Sequence, residues 1–212
     1  MSPAMCEPMQ AYLDRLASNS PTPGGGSVAA LVGALAAGLG SMVANFTVGK
    51  EKFAAVEADV RRLLDGCEQA RVELQALVQA DMDQYAKVSA AYGMPRGTDS
   101  EKAARTAAIQ EALKEAAGVP LGAVVACHKV LALNHELVDK GNPNLISDVG
   151  VAVALALAAL ECAALNVEIN LASIKDEGFN ARARAQMAPL RAEAPGIERE
   201  VWGKVERAIK KQ

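Results

Sequence analysis

Apolar residues recur at three- and four-residue spacing along most of the chain, and runs of β-branched residues alternating with period two are missing, so the pattern predicts helices throughout. A short amphipathic helix is expected over residues 5–17, stopped by two prolines and three glycines in residues 18–26. A second is expected over 27–46, with Ala29, Gly33, Ala37 and Ser41 spaced four apart, a small-residue stripe that lets another backbone come close.

Residues 51–93 read as one long helix, with Val56, Val60, Leu63, Cys67, Ala70, Leu74, Leu77, Asp81, Tyr85, Val88 and Tyr92 on its seam. Asp81 is therefore a carboxylate on an otherwise apolar face. Thr98 with Glu101 is a capping-box start for a helix to about residue 117, and Pro120 suits the first turn of another reaching 140. After Asn142-Pro143-Asn144, Ser147 is a candidate cap for a helix carrying Asp148, Gly150, Ala154, Ala158, Cys162, Asn166 and Asn170, the expected partner of the earlier small-residue helix. Beyond residue 174 the pattern turns charged and amphipathic, interrupted by Pro189, Pro195 and Gly196 and ending in a helix with Trp202. The expected fold is all-α, a single domain over 1–212, built as a bundle of about six to seven helices with two small-residue-rich central helices and one long one.

Composition sharpens this picture. Half the residues are apolar but only 3% are aromatic, so small and aliphatic side chains must fill the core, which favours closely packed helices. A net charge of −3 with interleaved acids and bases lacks the concentrated basic face that nucleic acid requires. Residues 16–49 carry no charge, yet their Ala/Gly composition is weakly hydrophobic, and we read a buried helix with no membrane partner. The four cysteines are far apart and no secretory leader is recognised, so a reducing cytoplasm is the expected setting.

Candidate chemistry centres on residues 20–27, Ser-Pro-Thr-Pro-Gly-Gly-Gly-Ser. Such a loop either presents free backbone N–H groups at a helix start to an electron-rich ligand group or is a tight capped turn. The dinucleotide fingerprint is excluded because no strand precedes the glycines. Asp81 needs a structural ion-pair partner or a cavity to line. Asn166 and Asn170, one turn apart, suit either the amide-like edge of a heterocycle or interhelix hydrogen bonds. Lys50 and Asp148 can meet if their helices pack antiparallel, and each alone reads as a solvated helix terminus. His128 and His135 are about 10 Å apart along a helix, too far to ligate one metal together, and both read as structural. No metal is expected, and no nucleophilic triad or dyad is supported.

The run SNSPTPGGGSVAALVGALAAGLGSMVANFTVGKEKF resembles the opening of the cyclodeaminase/cyclohydrolase family of folate enzymes. The resemblance continues through DMDQYAKVSAAYGMPRGTDSEKAARTAAIQEALKEAAGVPL and KGNPNLISDVGVAVALALAALECAALNVEINL, covering most of the chain up to about residue 175. The middle block looks most like the bacterial methenyltetrahydrofolate cyclohydrolases. The resemblance implies a homodimer with a folate cleft lined by the glycine loop and neighbouring helices, and no cofactor beyond the tetrahydrofolate-bound substrate.

The implied reaction is hydrolysis of 5,10-methenyltetrahydrofolate to 10-formyltetrahydrofolate. Asp81 or Asp148 would be the general base and Lys50 a proton donor or oxyanion partner. The substrate-binding set expected within the matched blocks is Thr22, Pro23, Gly24, Gly25, Gly26, Ser27, Asn45, Asn144, Asn166 and Asn170. The same pocket suits formiminotetrahydrofolate cyclodeaminase chemistry with release of ammonia. The remaining alternative is a non-catalytic helical oligomerisation protein.

Overall fold

The computed structural model describes residues 4–210. Six α-helices make up the fold: α1 Met9–Leu16, α2 Gly25–Asn45, α3 Glu57–Tyr92, α4 Asp99–Lys140, α5 Ile146–Leu171 and α6 Glu177–Ile209. Short 3-10 turns cover Ala4–Cys6, Glu51–Val56 and Pro143–Leu145. The described residues contain no strand, and the all-α single bundle is as the periodicity predicts.

The uncharged helix α2 lies at the centre, against α3, α4 and α5. Its glycines explain how closely the helices approach. A Cβ on Gly33 would lie 2.7 Å from Cys127 Sγ of α4, and one on Gly40 would lie 2.9 Å from Cys67 Sγ of α3. Either contact is shorter than van der Waals packing permits, so a larger residue would force the helices apart. The small-residue stripe was expected to admit α5. Helix α2 does pack on α5, but the stripe position Gly33 faces Leu74 of α3 and Cys127 of α4, and Gly150 of α5 packs against Val205 of α6.

Two predicted breaks are continuous helix. Thr98 and Glu101 form the expected capping box, but α4 then runs through Pro120 to Lys140. Pro120 is buried, and packing on neighbouring helices offsets the lost backbone hydrogen bond, a cost of about 3 kcal/mol in an isolated helix. Likewise α6 runs through Pro189 and Pro195, capped at its start by Asp176, whose side chain accepts from Phe179 N at 2.9 Å. Polar contacts fix α6 along its length: hydrogen bonds His128–Glu193 and His135–Glu200 join it to α4, both at 2.9 Å, and the ion pair Arg184–Glu168 joins it to α5. The long helix predicted from residue 51 begins as a 3-10 turn, with α3 proper starting at Glu57, and α5 starts at Ile146 with Leu145 at its N-cap position and no side-chain cap, so Ser147 lies inside the helix.

Helices α2 and α5 run antiparallel, with Gly25 beside Asn166 at one end and Thr47 Oγ1 accepting from Asn142 N at the other. By length and hydropathy α2, α4 and the Pro143–Leu171 stretch could each cross a membrane, and 61% of the apolar window of α2 is buried inside the bundle. The outward faces of α2 and α5 remain apolar: Leu35 is 51% exposed, and Leu165 and Ile169 are each 69% exposed.

Candidate active site

The site is built where the glycine loop enters α2. Gly24 occupies the N-cap position in extended conformation and offers no side chain to the orphaned amides of the first turn. Asp81, from the facing turn of α3, supplies what the loop lacks, accepting a hydrogen bond from Ser27 N at 2.9 Å. A carboxylate at a helix N-terminus also meets the positive end of the helix dipole. Gly26 makes room for it, since a Cβ there would lie 2.1 Å from Asp81 Oδ1. Behind this contact the Ser27 hydroxyl, fully buried, lies 3.0 Å from the phenol oxygen of Tyr12 in α1.

In front of it opens a cleft of about 350 Å³, within the size range of small-ligand sites. The loop contributes Pro21, Thr22, Gly24, Gly25 and Gly26 to its walls, α3 contributes Asp81, Gln84, Tyr85 and Val88, α4 contributes Ala116, and α5 contributes Asn166, Ile169 and Asn170. The side-chain amide nitrogens of Asn166 and Asn170 donate back to the Cys162 and Asn166 carbonyls, both at 2.8 Å. Each side-chain oxygen is therefore left as an acceptor.

Among the described residues Asp81 is the one carboxylate lining the cleft, and no Lys or Arg lines it. Burial raises its pKa above the ordinary carboxylate value, with the Ser27 amide opposing. Such a group is a stronger base than a solvated carboxylate, as proton abstraction near neutral pH requires. The buried thiols of Cys67 and Cys127 are pushed up to about 12 by desolvation, so neither supplies a thiolate nucleophile.

Of the residues singled out in the sequence, Thr22, Gly24, Gly25, Gly26, Asp81, Asn166 and Asn170 line this cleft. Ser27 joins them through its backbone, and Pro23 is buried in the loop behind. Asn45, Lys50, Asn144 and Asp148 do not join them within one chain. Asn45 and Lys50 end or follow α2, about 30 Å from Gly25 by helical rise, and Asn144 and Asp148 adjoin the start of α5 at that same far end. Antiparallel packing does bring Lys50 and Asp148 to one end of the bundle, but it is the end away from the glycine loop, and no ion pair joins them among the described residues.

Residues 8–189 match the formiminotransferase-cyclodeaminase family. The chain belongs to that family. A methenyltetrahydrofolate cyclohydrolase of Methylorubrum extorquens is 43% identical to this family member over 96% of the chain and 98% of its own length. The formimidoyltransferase-cyclodeaminase of Rattus norvegicus is 34% identical over 93% of the chain, which spans 37% of that longer protein. The crystal structure of formiminotetrahydrofolate cyclodeaminase from Thermotoga maritima superposes with a TM-score of 0.86 at 33% identity, covering 97% of this chain and 98% of that one.

Gln84, Tyr85, Val88, Ala116 and Ile169 also line the cleft and are not among the site residues expected from the sequence. A signal for three of them was present: Gln84, Tyr85 and Val88 lie three, four and seven residues after Asp81 and so share its helical face. Tyr12 gave no such signal, because in a short amphipathic helix a tyrosine at an apolar position is ordinary packing.

Proposed function

We propose that this family member is an enzyme that hydrolyses 5,10-methenyltetrahydrofolate to 10-formyltetrahydrofolate. The observation that carries the reading is Asp81, the one carboxylate among the described residues of the chain that line the cleft, with its pKa raised by burial, where the amidinium cation of the substrate finds a counter-charge. The near-full-length similarity to the Methylorubrum extorquens cyclohydrolase supports the same reaction.

In this reading water adds to the methenyl carbon and Asp81 accepts its proton, an effect of about 10²–10⁴ in rate for a positioned base. The tetrahedral adduct then collapses: the bond from carbon to N5 breaks, N5 takes a proton back from Asp81, and the remaining hydroxyl proton leaves to solvent. One water is consumed and one net proton is released, matching the loss of the cation's charge. The Gly25 and Gly26 amides at the start of α2 face the oxygen as charge develops. The Asn166 and Asn170 oxygens accept from the pterin's N–H edge. No metal or cofactor beyond the tetrahydrofolate-bound substrate is required.

The reading extends to a homodimer. Leu35 of α2, Phe46 just after it, and Val151, Leu165 and Ile169 of α5 are exposed apolar side chains. On α5 the positions Val151, Leu155, Ala158, Cys162, Leu165 and Ile169 repeat at four-three spacing, the seam of a helix that packs against another helix. A twofold pairing of these seams, antiparallel, sets the far end of one copy beside the cleft of the other. Lys50 of the partner subunit then supplies the cation the cleft lacks, with Asn45, Asn144 and Asp148 as its neighbours. Four free cysteines suit a reducing cytoplasm, with neither nucleic acid nor a membrane as partner.

Cyclodeamination of formiminotetrahydrofolate is the second reading, favoured by the structural likeness to the Thermotoga maritima enzyme. The two are separated by following loss of methenyltetrahydrofolate absorbance and, in parallel, ammonia released from formiminotetrahydrofolate. Fast absorbance loss without ammonia is the expected result. Ammonia release selects the second reading, and neither activity leaves a helical oligomerisation protein.

A further inference from the structure

The contact behind the cleft has no part in the mechanism above. Tyr12 is 3% exposed, held among Ala4, Ala30 and Val78 where α1 crosses α2 and α3. Its hydroxyl lies 3.0 Å from Ser27 Oγ, and Ser27 itself is fully buried. Ser27 thus faces two ways, its amide to Asp81 and its hydroxyl to Tyr12. We propose that Tyr12 is a positioning residue for Asp81: by engaging the Ser27 hydroxyl it keeps that hydroxyl off the carboxylate, leaving Asp81 one hydrogen bond and a free oxygen for the attacking water. This rests on the reading of Asp81 as the base.

Tyr12 and Asp81 compete for the same serine side chain. A serine whose own amide already meets a carboxylate needs only a χ1 rotation to donate its O–H to the same group. That added bond would favour the charged form and weaken the base. In this fold the 3.0 Å contact with Tyr12 holds Ser27 Oγ in place, whichever of the two oxygens donates, and among the described residues Asp81 accepts from the Ser27 amide alone. Within one chain the surroundings add little charge, and the cation brought to the cleft in the proposed dimer is Lys50 of the partner subunit. Tyr12 faces Asp81 from α1 and Ser27 from α2, while Tyr85 of α3 and the uncharged Asn166 and Asn170 of α5 share the cleft. Arg15 and Glu7 lie around Tyr12 and pair with each other at 2.6 Å. Burial holds the Tyr12 phenol above its usual pKa, so it is a neutral hydrogen-bonding partner across the working range.

Tyr12→Phe removes the hydroxyl and keeps the ring. Two readouts are taken on the full-length protein: the pH profile of kcat/KM for methenyltetrahydrofolate, and the carboxyl ¹³C titration of Asp81 by NMR, assigned with Asp81→Asn. The expected result is an acid limb displaced to lower pH, a kcat plateau roughly three- to ten-fold lower, an unchanged KM, and an Asp81 titration displaced the same way. Adding Ser27→Ala to Tyr12→Phe removes the competing hydroxyl and returns the titration towards wild type. An Asp81 titration unmoved in Tyr12→Phe overturns the proposal, as does a displacement that survives Ser27→Ala. A purely structural Tyr12 would lower Tm and kcat and leave the titration in place. The NMR arm needs no turnover, so absence of folate activity in the wild-type protein defeats the functional reading separately.

Discussion

Gly26 and Asp81 are 55 residues apart in the chain and so close in space that a methyl group on the glycine would lie 2.1 Å from the carboxylate oxygen. The glycine is needed there for space, in a helix turn whose backbone any residue can adopt. Gly26→Ala must therefore push Asp81 away from Ser27 or tilt the start of α2. We expect kcat/KM to fall at least 10²-fold, since displacements near 1 Å cost that much. Circular dichroism should show the helical content unchanged. Wild-type kinetics in Gly26→Ala would mean that the carboxylate need not sit where it does.

Burial of Asp81 has a stability consequence with a definite sign. Its folded pKa is raised above the unfolded value, so between those two values the folded state binds more protons than the unfolded chain. Stability is accordingly lost as pH rises from the ordinary carboxylate range through the folded value, and the loss persists at neutral pH. Asp81→Asn, which keeps an acceptor for Ser27 N, should melt higher than wild type at pH 7. The gain should disappear below about pH 4, where the carboxyl is protonated in both states. A variant that melts lower than wild type at pH 7 would show that the charged carboxylate stabilises the fold.

Asn170 holds its side-chain nitrogen on the Asn166 carbonyl at 2.8 Å and keeps its oxygen for the cleft. Asn170→Ala removes an acceptor that serves ground state and transition state alike. KM should rise about ten-fold with kcat nearly unchanged, measured by initial rates. A fall in kcat with constant KM would assign Asn170 to the chemical step.

The outward seam of α5 tests the dimer. Leu165, 69% exposed in the single chain, should be covered in solution. Leu165→Glu should convert the protein to a monomer by sedimentation velocity and lower kcat/KM by removing the partner subunit's Lys50 from the cleft. Cys162 on the same seam should resist alkylation in the dimer and react in the Leu165→Glu monomer, while Cys67 and Cys127, buried within the chain, stay protected in both.

Much of this was legible in the sequence because the signals were local. The three-four spacing marked the helices, the Thr98–Glu101 box marked the start of α4, and Asp81 stood out as a charge on an apolar seam. Pro120, Pro189 and Pro195 misled because tertiary contacts along α4 and α6 outweigh a local helix penalty. The pairing of Gly26 with Asp81 and of Tyr12 with Ser27 joins different helices, which spacing along one helix cannot reveal. The same holds for Lys50 and Asp148: each is plain as a terminal charge, but which end of the bundle it occupies depends on the direction in which α2 and α5 pack.

The central claim is that Asp81 acts as the base in this cleft. Its most direct test is the rate of methenyltetrahydrofolate absorbance loss with wild-type protein and with Asp81→Asn, together with binding of a non-hydrolysable folate analogue to both. The expected result is a fall in kcat of about 10²–10⁴ while the analogue still raises the Tm of each protein. Equal rates in the two proteins, with wild type well above the uncatalysed blank, would contradict it.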